Sequence, residues 1–525
     1  MTYRSDPGHR PQRPTPSQPA TRPRPPPRAR SGTPPPERAP PAAPPPHPRT
    51  CSELPTGPAL FTPPPIHPRP RPRSGRRTGR RPPGAPHHAP ATPRSHHAPW
   101  HRPLALAAAL TVLLSACGSA VGGTTGSAAN ATGPVTITWW DTSDAVNESP
   151  AFKVLVADFE KANPDVKVSY VSTPFDGARD RFQAASDGKG APDVLRADVG
   201  WTAGFAKAGY LAPLDGTPAA ADSAKFQPQL IEQATYHGRL YGMPQVTDTL
   251  ALMYNKELFA KAGITKAPAT WDDLRTDAAR IKQRTGVDGF AFHPQDYYAM
   301  PFLYGEGTDL VDVADKRITV NSAAAVRAVD TIKDLVSSPG VMEIDTSDKG
   351  YANVMTAFNG GQVAAIIQGP WENANVFQGS AFQANGNLGI APVPAGGAGR
   401  PGAPLGGHNL VASARSDAAH LAAAERFIAF MTSANSQTFT AVKNATLPTR
   451  ADAYTADVTS NLGIAGYQKV LPAGRPRPAL AEYSLLYGPF GTELIKILSG
   501  QESTRQGLDK AAAEARKLLP DYAAQ

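Results

Sequence analysis

Acidic and aromatic side chains recur where the apolar runs of this chain give out. Trp140 ends the alternating run Val135-Thr-Ile-Thr-Trp-Trp140, and Asp141 and Asp144 follow it. Asp198 ends the short run that begins at Gly190-Ala-Pro-Asp193, and Trp201 comes three residues later. Asp248 lies in the polar segment Gln245–Thr249 between two apolar runs, Tyr297 and Tyr298 lie in an aromatic loop after Gly289–Phe292, and Trp371 follows Gly369-Pro370. In open α/β sheets the carboxyl ends of strands are where ligand sites collect. Flat rings can cover apolar C–H faces and carboxylates can accept protons from hydroxyls, which is the chemistry of capture rather than of bond breaking. The chain has no His-Glu-x-x-His, no Gly-x-Ser-x-Gly, no P-loop, no Cys/His metal spacing and no Asp-x-Asp-x-Asp-Gly loop. No catalytic residue, metal or cofactor is therefore expected. Scattered Asp and Glu leave a glycosidase pair as an alternative, although nothing in the sequence sets two of them at the required separation.

These residues need elements to position them. Around the central crossing, Gly238 and Gly242 punctuate the chain and Pro244 favours extended backbone at Met243, while Leu250, Leu252 and Tyr254 alternate with Ala251 and Met253. Asn255 can cap a short helix, Lys256–Ala262, that Gly263 closes. Gln245–Thr249 is thus where the chain could leave one α/β unit and enter another, with its side chains in a cleft. Upstream, the spacing of Phe152, Leu155, Val156 and Phe159 predicts a helix over 152–163, and Val166–Val171 reads as a strand. Strand, helix, strand suggests a parallel sheet. Phe175–Ala185 reads as a further helix, as does the stretch from Thr270, a capping residue with Asp273 three positions on, to Thr285. Gly289–Phe292 and the run before Gly369 read as strands; Leu421–Met431, Leu485–Leu498 and Ser503–Leu519 read as helices.

Charge and composition divide the chain. Its net charge is +9, but residues 1–100 carry 17 arginines, no lysine and three acids, so the rest sums to −5. The same hundred residues hold 32 of the 57 prolines. Such a segment cannot bury enough apolar surface to offset its ordering entropy, and disorder is expected. It reads as a non-native extension or unstructured leader, with a polyanion-binding arm as the alternative. Since the basic excess belongs to this segment, net charge gives no ground for a nucleic-acid partner. The run Leu104–Leu114 is too short to span a bilayer and suits a signal-peptide core. Leu114-Ser-Ala-Cys117-Gly118 after it resembles a bacterial lipoprotein lipobox, with small residues before the scissile bond and a thiol to take diacylglycerol. The alternative is a chance cysteine. Residues 101–117 would be a signal peptide, 118–133 a Gly/Ser/Thr/Ala tether, and the mature chain would hold no thiol for a disulfide.

Several runs, in order, carry a resemblance: Gly190-x-Pro-Asp-Val with Gly209-x-Leu-x-Pro-Leu, Gly238-x-x-Tyr-Gly-x-Pro with Tyr254-Asn-Lys-x-x-Phe, Gly369-Pro-Trp371, and Leu447-Pro-Thr-Arg450. Together they cover about Val135 to Leu519 and resemble the extracellular solute-binding proteins, family 1, the maltose-binding-like sugar-binding lipoproteins of bacterial ABC importers. The resemblance implies an α/β, type II periplasmic-binding-protein fold of two lobes with a hinge cleft. The first lobe would take 134–246 plus 404–448, the second 248–400 plus 450–525. It implies a sugar or oligosaccharide ligand, an ABC permease as partner, a membrane tie through the lipid on Cys117, and a monomer. By the same resemblance Trp371 and Tyr487 would stack on sugar, Tyr297 or Tyr298 would join them, and Asp198 or Trp201 and Asp248 would face the cleft. Trp140, Asp141, Asp144, Gly406 and Gly407 complete the set, while His408 reads as structural. Each has an alternative: a core tryptophan or tyrosine, or, for Asp248, a turn cap. A secreted glycoside hydrolase, and a binding protein for a cationic or peptide ligand, are the rival functions.

Overall fold

A computed structural model describes residues 134–384 and 386–524. The proline- and arginine-rich extension, the apolar run with Cys117, and the tether lie outside the described residues. Nine strands build two sheets. The first uses β1 (Val135–Asp141), β2 (Val166–Ser172), β3 (Val194–Asp198) and β4 (Met243–Thr249). The second uses β5 (Ala251–Asn255), β6 (Ala365–Gln368) and β7 (Leu388–Ala391), after which β8 (Ala403–Ala412) and β9 (Gly474–Pro476) return to the first.

In the first sheet β1 pairs in parallel with β2 and β3, as the strand-helix-strand reading requires. The long β8 then lies between β3 and β4, antiparallel to both. Its first residues also pair with β9, in parallel. Alternation along β1 sends Ile137 and Trp139 into one core and leaves Trp140 on the opposite side. Phe152 from helix Ser149–Ala162 and Phe427 from helix Ala418–Met431 pack edge-on against Trp139, with ring centroids 6.0 and 5.1 Å away. Such geometry suits aromatic quadrupoles.

The second sheet is buried on both faces. Leu250 and Leu252 enter a core with Trp271 and Phe302, whereas Ala251 and Met253 enter another with Phe358, Ile366 and Tyr467. That double burial explains why β5 reads as a near-continuous apolar run. The helix caps follow the expected chemistry. Thr270 and Asp273 form a reciprocal capping box at helix Trp271–Thr285, Asn255 accepts from Leu258 N, and Gly263 has a positive φ of 73°.

Three expectations need correction. The helix placed at Phe175–Ala185 begins at Ala178, because Gly177 before it is left-handed (φ 72°) and leaves Phe175 outside. Gly289–Phe292 forms no strand; Asp288, Phe290 and Ala291 make only isolated bridges to Val363, Val341 and Ile366. Within the stretch after 450, β9 edges the first sheet, while Val458, Ile464, Tyr467, Phe490 and Leu508 pack in the two cores of the second.

Candidate functional site

The chain passes from the first sheet to the second through one residue, Leu250, between β4 and β5. Asp248 sits two residues before it, 8% exposed. The Tyr297 hydroxyl donates to its Oδ1 at 3.3 Å. Burial pushes the Asp248 carboxyl up to about 7, against the pull of the Arg477 guanidinium. Opposite it in register stands Gly406 of β8. A Cβ there would come within 2.1 Å of Asp248 Oδ1 and 2.7 Å of the Tyr297 hydroxyl, so only glycine admits this approach. Gly407 is left-handed (φ 126°), and a Cβ on it would meet the Val246 carbonyl at 2.1 Å.

Asp198 ends β3 beside this crossing. Its Oδ1 accepts from Gly200 N at 2.7 Å, and the Arg477 guanidinium spans both oxygens, 2.9 Å to Oδ1 and 3.1 Å to Oδ2. Such a fork matches carboxylate geometry. The guanidinium carbon lies 5.8 Å from the centroid of the Tyr297 ring. Arg477 therefore links an acid of the first sheet to an aromatic in the first turn of helix Asp296–Gly305, not in a loop.

Three rings gather on the second lobe's side. Tyr297 is 6.5 Å from Trp371 and 6.4 Å from Tyr487, centroid to centroid. Trp371 lies in the single turn Pro370–Glu372, and its indole folds back over Gly369, where a Cβ would meet the ring at 1.9 Å. Its Nε1 donates to the Tyr351 hydroxyl at 3.0 Å, and that hydroxyl donates to Glu372 Oε1. The edge of the indole is thereby fixed and a face left half-buried. Tyr298 does not join them: it is 3% exposed and donates to Gln368 Oε1 at 2.9 Å, as a core tyrosine does.

On the first lobe's side Trp201 stacks on Phe175, centroids 5.1 Å apart and planes 25° from parallel. His408 meets the edge of Phe175 at 5.9 Å. Burial, helped by Arg196 and Arg477, pushes the His408 imidazole well below its usual range, so it is neutral at pH 7. The residues that end β1 and follow it lie elsewhere. Asp141 is fully buried and takes hydrogen bonds from Ser143 N, the Ser143 hydroxyl and the Tyr170 hydroxyl. Asp144 is exposed and its Oδ1 accepts from Val146 N and Asn147 N, closing a local turn. Trp140 packs with the cluster of Phe182, Trp201 and Phe205. Buried Arg196 ties this region together, donating to Gln245 Oε1 at 2.9 Å and standing 3.5 Å from Glu148 and 4.0 Å from Asp141.

The structure thus brings Asp198, Asp248, Tyr297, Trp371, Tyr487, Gly406 and Gly407 to one junction, with Trp201 at its edge. Sequence reasoning missed Arg477 and Phe175. Gly-Arg-Pro-Arg-Pro (474–478) was a visible signal, a cation-bearing extended run between two helices. Among the described residues no group of three or more His, Cys, Asp and Glu is placed to hold a metal, and no helix is long and apolar enough to cross a membrane. Acceptors, donors and flat rings gathered in this way can bind a polyhydroxylated ligand.

Residues 145–438 match the family model described as bacterial extracellular solute-binding protein. The GacH receptor of Streptomyces glaucescens GLA.O, solved unliganded and in complex with acarbose, is similar at 42% identity and a TM-score of 0.71, over 74% of this chain and 100% of that one. The maltodextrin-binding protein MdxE of Bacillus subtilis (strain 168) is 28% identical over 371 residues, 67% of this chain and 83% of that protein. A binding protein of Brucella abortus (strain 2308) is 26% identical over 261 residues, 48% of this chain and 62% of that protein, so the chain spans less than two thirds of that relative's length. The mixed sheets and the crossing between them are those of the two-lobed type II fold shared with the solved GacH receptor. The chain belongs to the bacterial extracellular solute-binding protein family.

Proposed function

We propose that this protein captures a sugar or oligosaccharide outside the cytoplasm and delivers it to the permease of an ABC importer, without transforming it. The observation that carries the reading is the junction itself: Trp371 and Tyr487 each within 6.5 Å of Tyr297, whose hydroxyl reaches Asp248 where the two sheets meet, with Asp198 beside it. Rings of this kind stack on the C–H faces of pyranoses, and carboxylates accept their hydroxyl protons. The acarbose held by the GacH receptor and the maltodextrin of the MdxE protein support the class. A ligand touching both lobes favours the closed arrangement by its difference in affinity for the two states, and the permease would read that closed pair. The lobes are assigned as about 134–246 with 404–448, and 248–400 with 450–525, except that β9 sides with the first. Cys117 would carry a lipid that ties the monomer to the outer face of the membrane. Incorporation of labelled palmitate that disappears in Cys117→Ser tests that tie.

A thermal-shift screen with mono- and oligosaccharides, and with amino acids and polyamines as controls, tests the function. Ligands that bind only the native state raise Tm by mass action. A shift with sugars alone is expected. Shifts confined to the controls would refute the carbohydrate reading, and consumption of a sugar during the assay would favour a hydrolase.

A further inference from the structure

Arg477 is 7% exposed, and its terminal nitrogens are committed to Asp198. Its Nε is buried without a protein partner. The same holds for the Tyr487 hydroxyl, both ring nitrogens of His408, and Nε2 of Gln245. These groups are neighbours. Arg477 covers the Tyr297 ring, which lies 6.4 Å from Tyr487, and His408 pairs across the sheet with Asp198. Gln245 holds Arg196 from the strand that also carries Asp248. An unpaired buried donor is rare in native proteins and costs about 1–3 kcal/mol. Several at one junction describe a lining whose partners come from a ligand.

The guanidinium is planar, so fixing its fork on Asp198 also fixes the direction of its Nε–H. Asp198 is nearly saturated in turn. Its Oδ1 takes both Gly200 N and Arg477, while Oδ2 takes only Arg477 and keeps one lone pair. With both terminal nitrogens on Asp198, the Nε–H points from the opposite end of the guanidinium, a fixed donor set apart from the one accepting position left on the carboxylate. We propose that Arg477 is a specificity-determining residue of this cleft, offering its Nε–H to one ligand hydroxyl while its fork fixes Asp198 to accept from another and its face holds Tyr297. The inference rests on the carbohydrate reading above. It assigns Asp198 a narrower part than a free carboxylate would have: one accepting position, aimed by Arg477. Gly200 belongs to the same device, since a Cβ there would lie 2.9 Å from the Arg477 Nη1 and from Asp198 Oδ1.

Titration calorimetry of the full chain with maltose, cellobiose, lactose and maltotriose gives both the affinity and its spread across sugars of differing hydroxyl orientation and linkage. For the sugar that the wild type binds best, Arg477→Met is expected to lose at least tenfold and to compress the spread to a few fold, with an unchanged circular-dichroism spectrum. Arg477→Lys keeps the charge without the fork and is expected to follow Arg477→Met in both respects. If Arg477→Met does not fold, Arg477→Lys carries the test. A folded Arg477→Lys with wild-type affinity and an undiminished spread overturns the proposal alone. A wild type that binds none of the four sugars overturns the proposal together with the carbohydrate reading.

Discussion

Replacing Asp248 with Asn asks whether burial or the neighbouring guanidinium rules the hinge. The ordinary carboxyl value is 3.8 and burial lifts Asp248 to about 7, with Arg477 opposing. The sign follows from proton counting. Between about 4 and about 7 the folded protein holds the Asp248 proton more tightly than the unfolded chain does, so stability is full below about 4 and falls as pH rises through about 7. Three units at 1.36 kcal/mol each make the fall about 4 kcal/mol. Asn has the shape of the protonated acid and never ionises. The variant should therefore match wild type within about 1 kcal/mol at pH 4 and exceed it by about 4 kcal/mol at pH 8. Urea unfolding followed by tryptophan fluorescence, without ligand and at half-unit pH steps, gives both curves. Asp296 and Asp309, each pushed up to about 6 by burial, tilt the wild-type curve in the same direction, so the difference between the curves is the quantity that isolates Asp248. A difference that stays flat with pH, or a wild type more stable at pH 8, would refute the argument and show that Arg477 outweighs burial.

Three further outcomes are expected. Trp371→Ala should weaken binding of the best sugar by about 1–3 kcal/mol in calorimetry while Tm moves little, because the indole face is half-buried and not a core plug; unchanged affinity in a folded variant removes it from the stacking set. Gly407→Ala should lower Tm sharply or prevent folding, since its φ of 126° and the Val246 carbonyl 2.1 Å from a new Cβ are strains that β8 cannot relieve; a Tm within a degree of wild type would contradict this. Tyr483→Phe removes the hydroxyl that donates to Asp309 Oδ1 at 2.6 Å and so raises that carboxyl further. Its destabilisation, about 1–2 kcal/mol in urea titrations, should grow as pH rises through about 6, and a loss that shrinks with pH would count against it.

The crossing was legible in the residues because two local signals agree there: a polar segment bounded by apolar alternation, and an Asn that caps the next helix. The turn before Trp371 was legible for a similar reason, as the indole can fold back only over a glycine. What escaped depends on distant partners. Asp141 looks like a cleft acid at a strand end, and only the approach of Tyr170 from β2 and of Ser143 from the next loop shows it to be saturated. Phe175 sits at helical spacing from Phe182, yet the left-handed Gly177 turns it out of the helix and onto Trp201. Arg477 is the clearest case. Its partner Asp198 is 279 residues away, and nothing in Gly-Arg-Pro-Arg-Pro states that β9 will lie beside the start of β8.

The position of β8 has a kinetic consequence. Residues 403–412 lie between β3 and β4, and more than two hundred residues separate β3 from β8 in the chain. As the polypeptide emerges from the ribosome, β3 has β1 on one side and an unpaired edge on the other until β8 is made. Closing loops of this length before the pairing is gained slows folding, and open edges invite wrong partners. The first lobe is consequently completed late in synthesis, by a strand that reaches it only after most of the second lobe has been translated. A nascent chain of this design stays unfinished, and so remains extendable through a narrow channel, for most of its time on the ribosome.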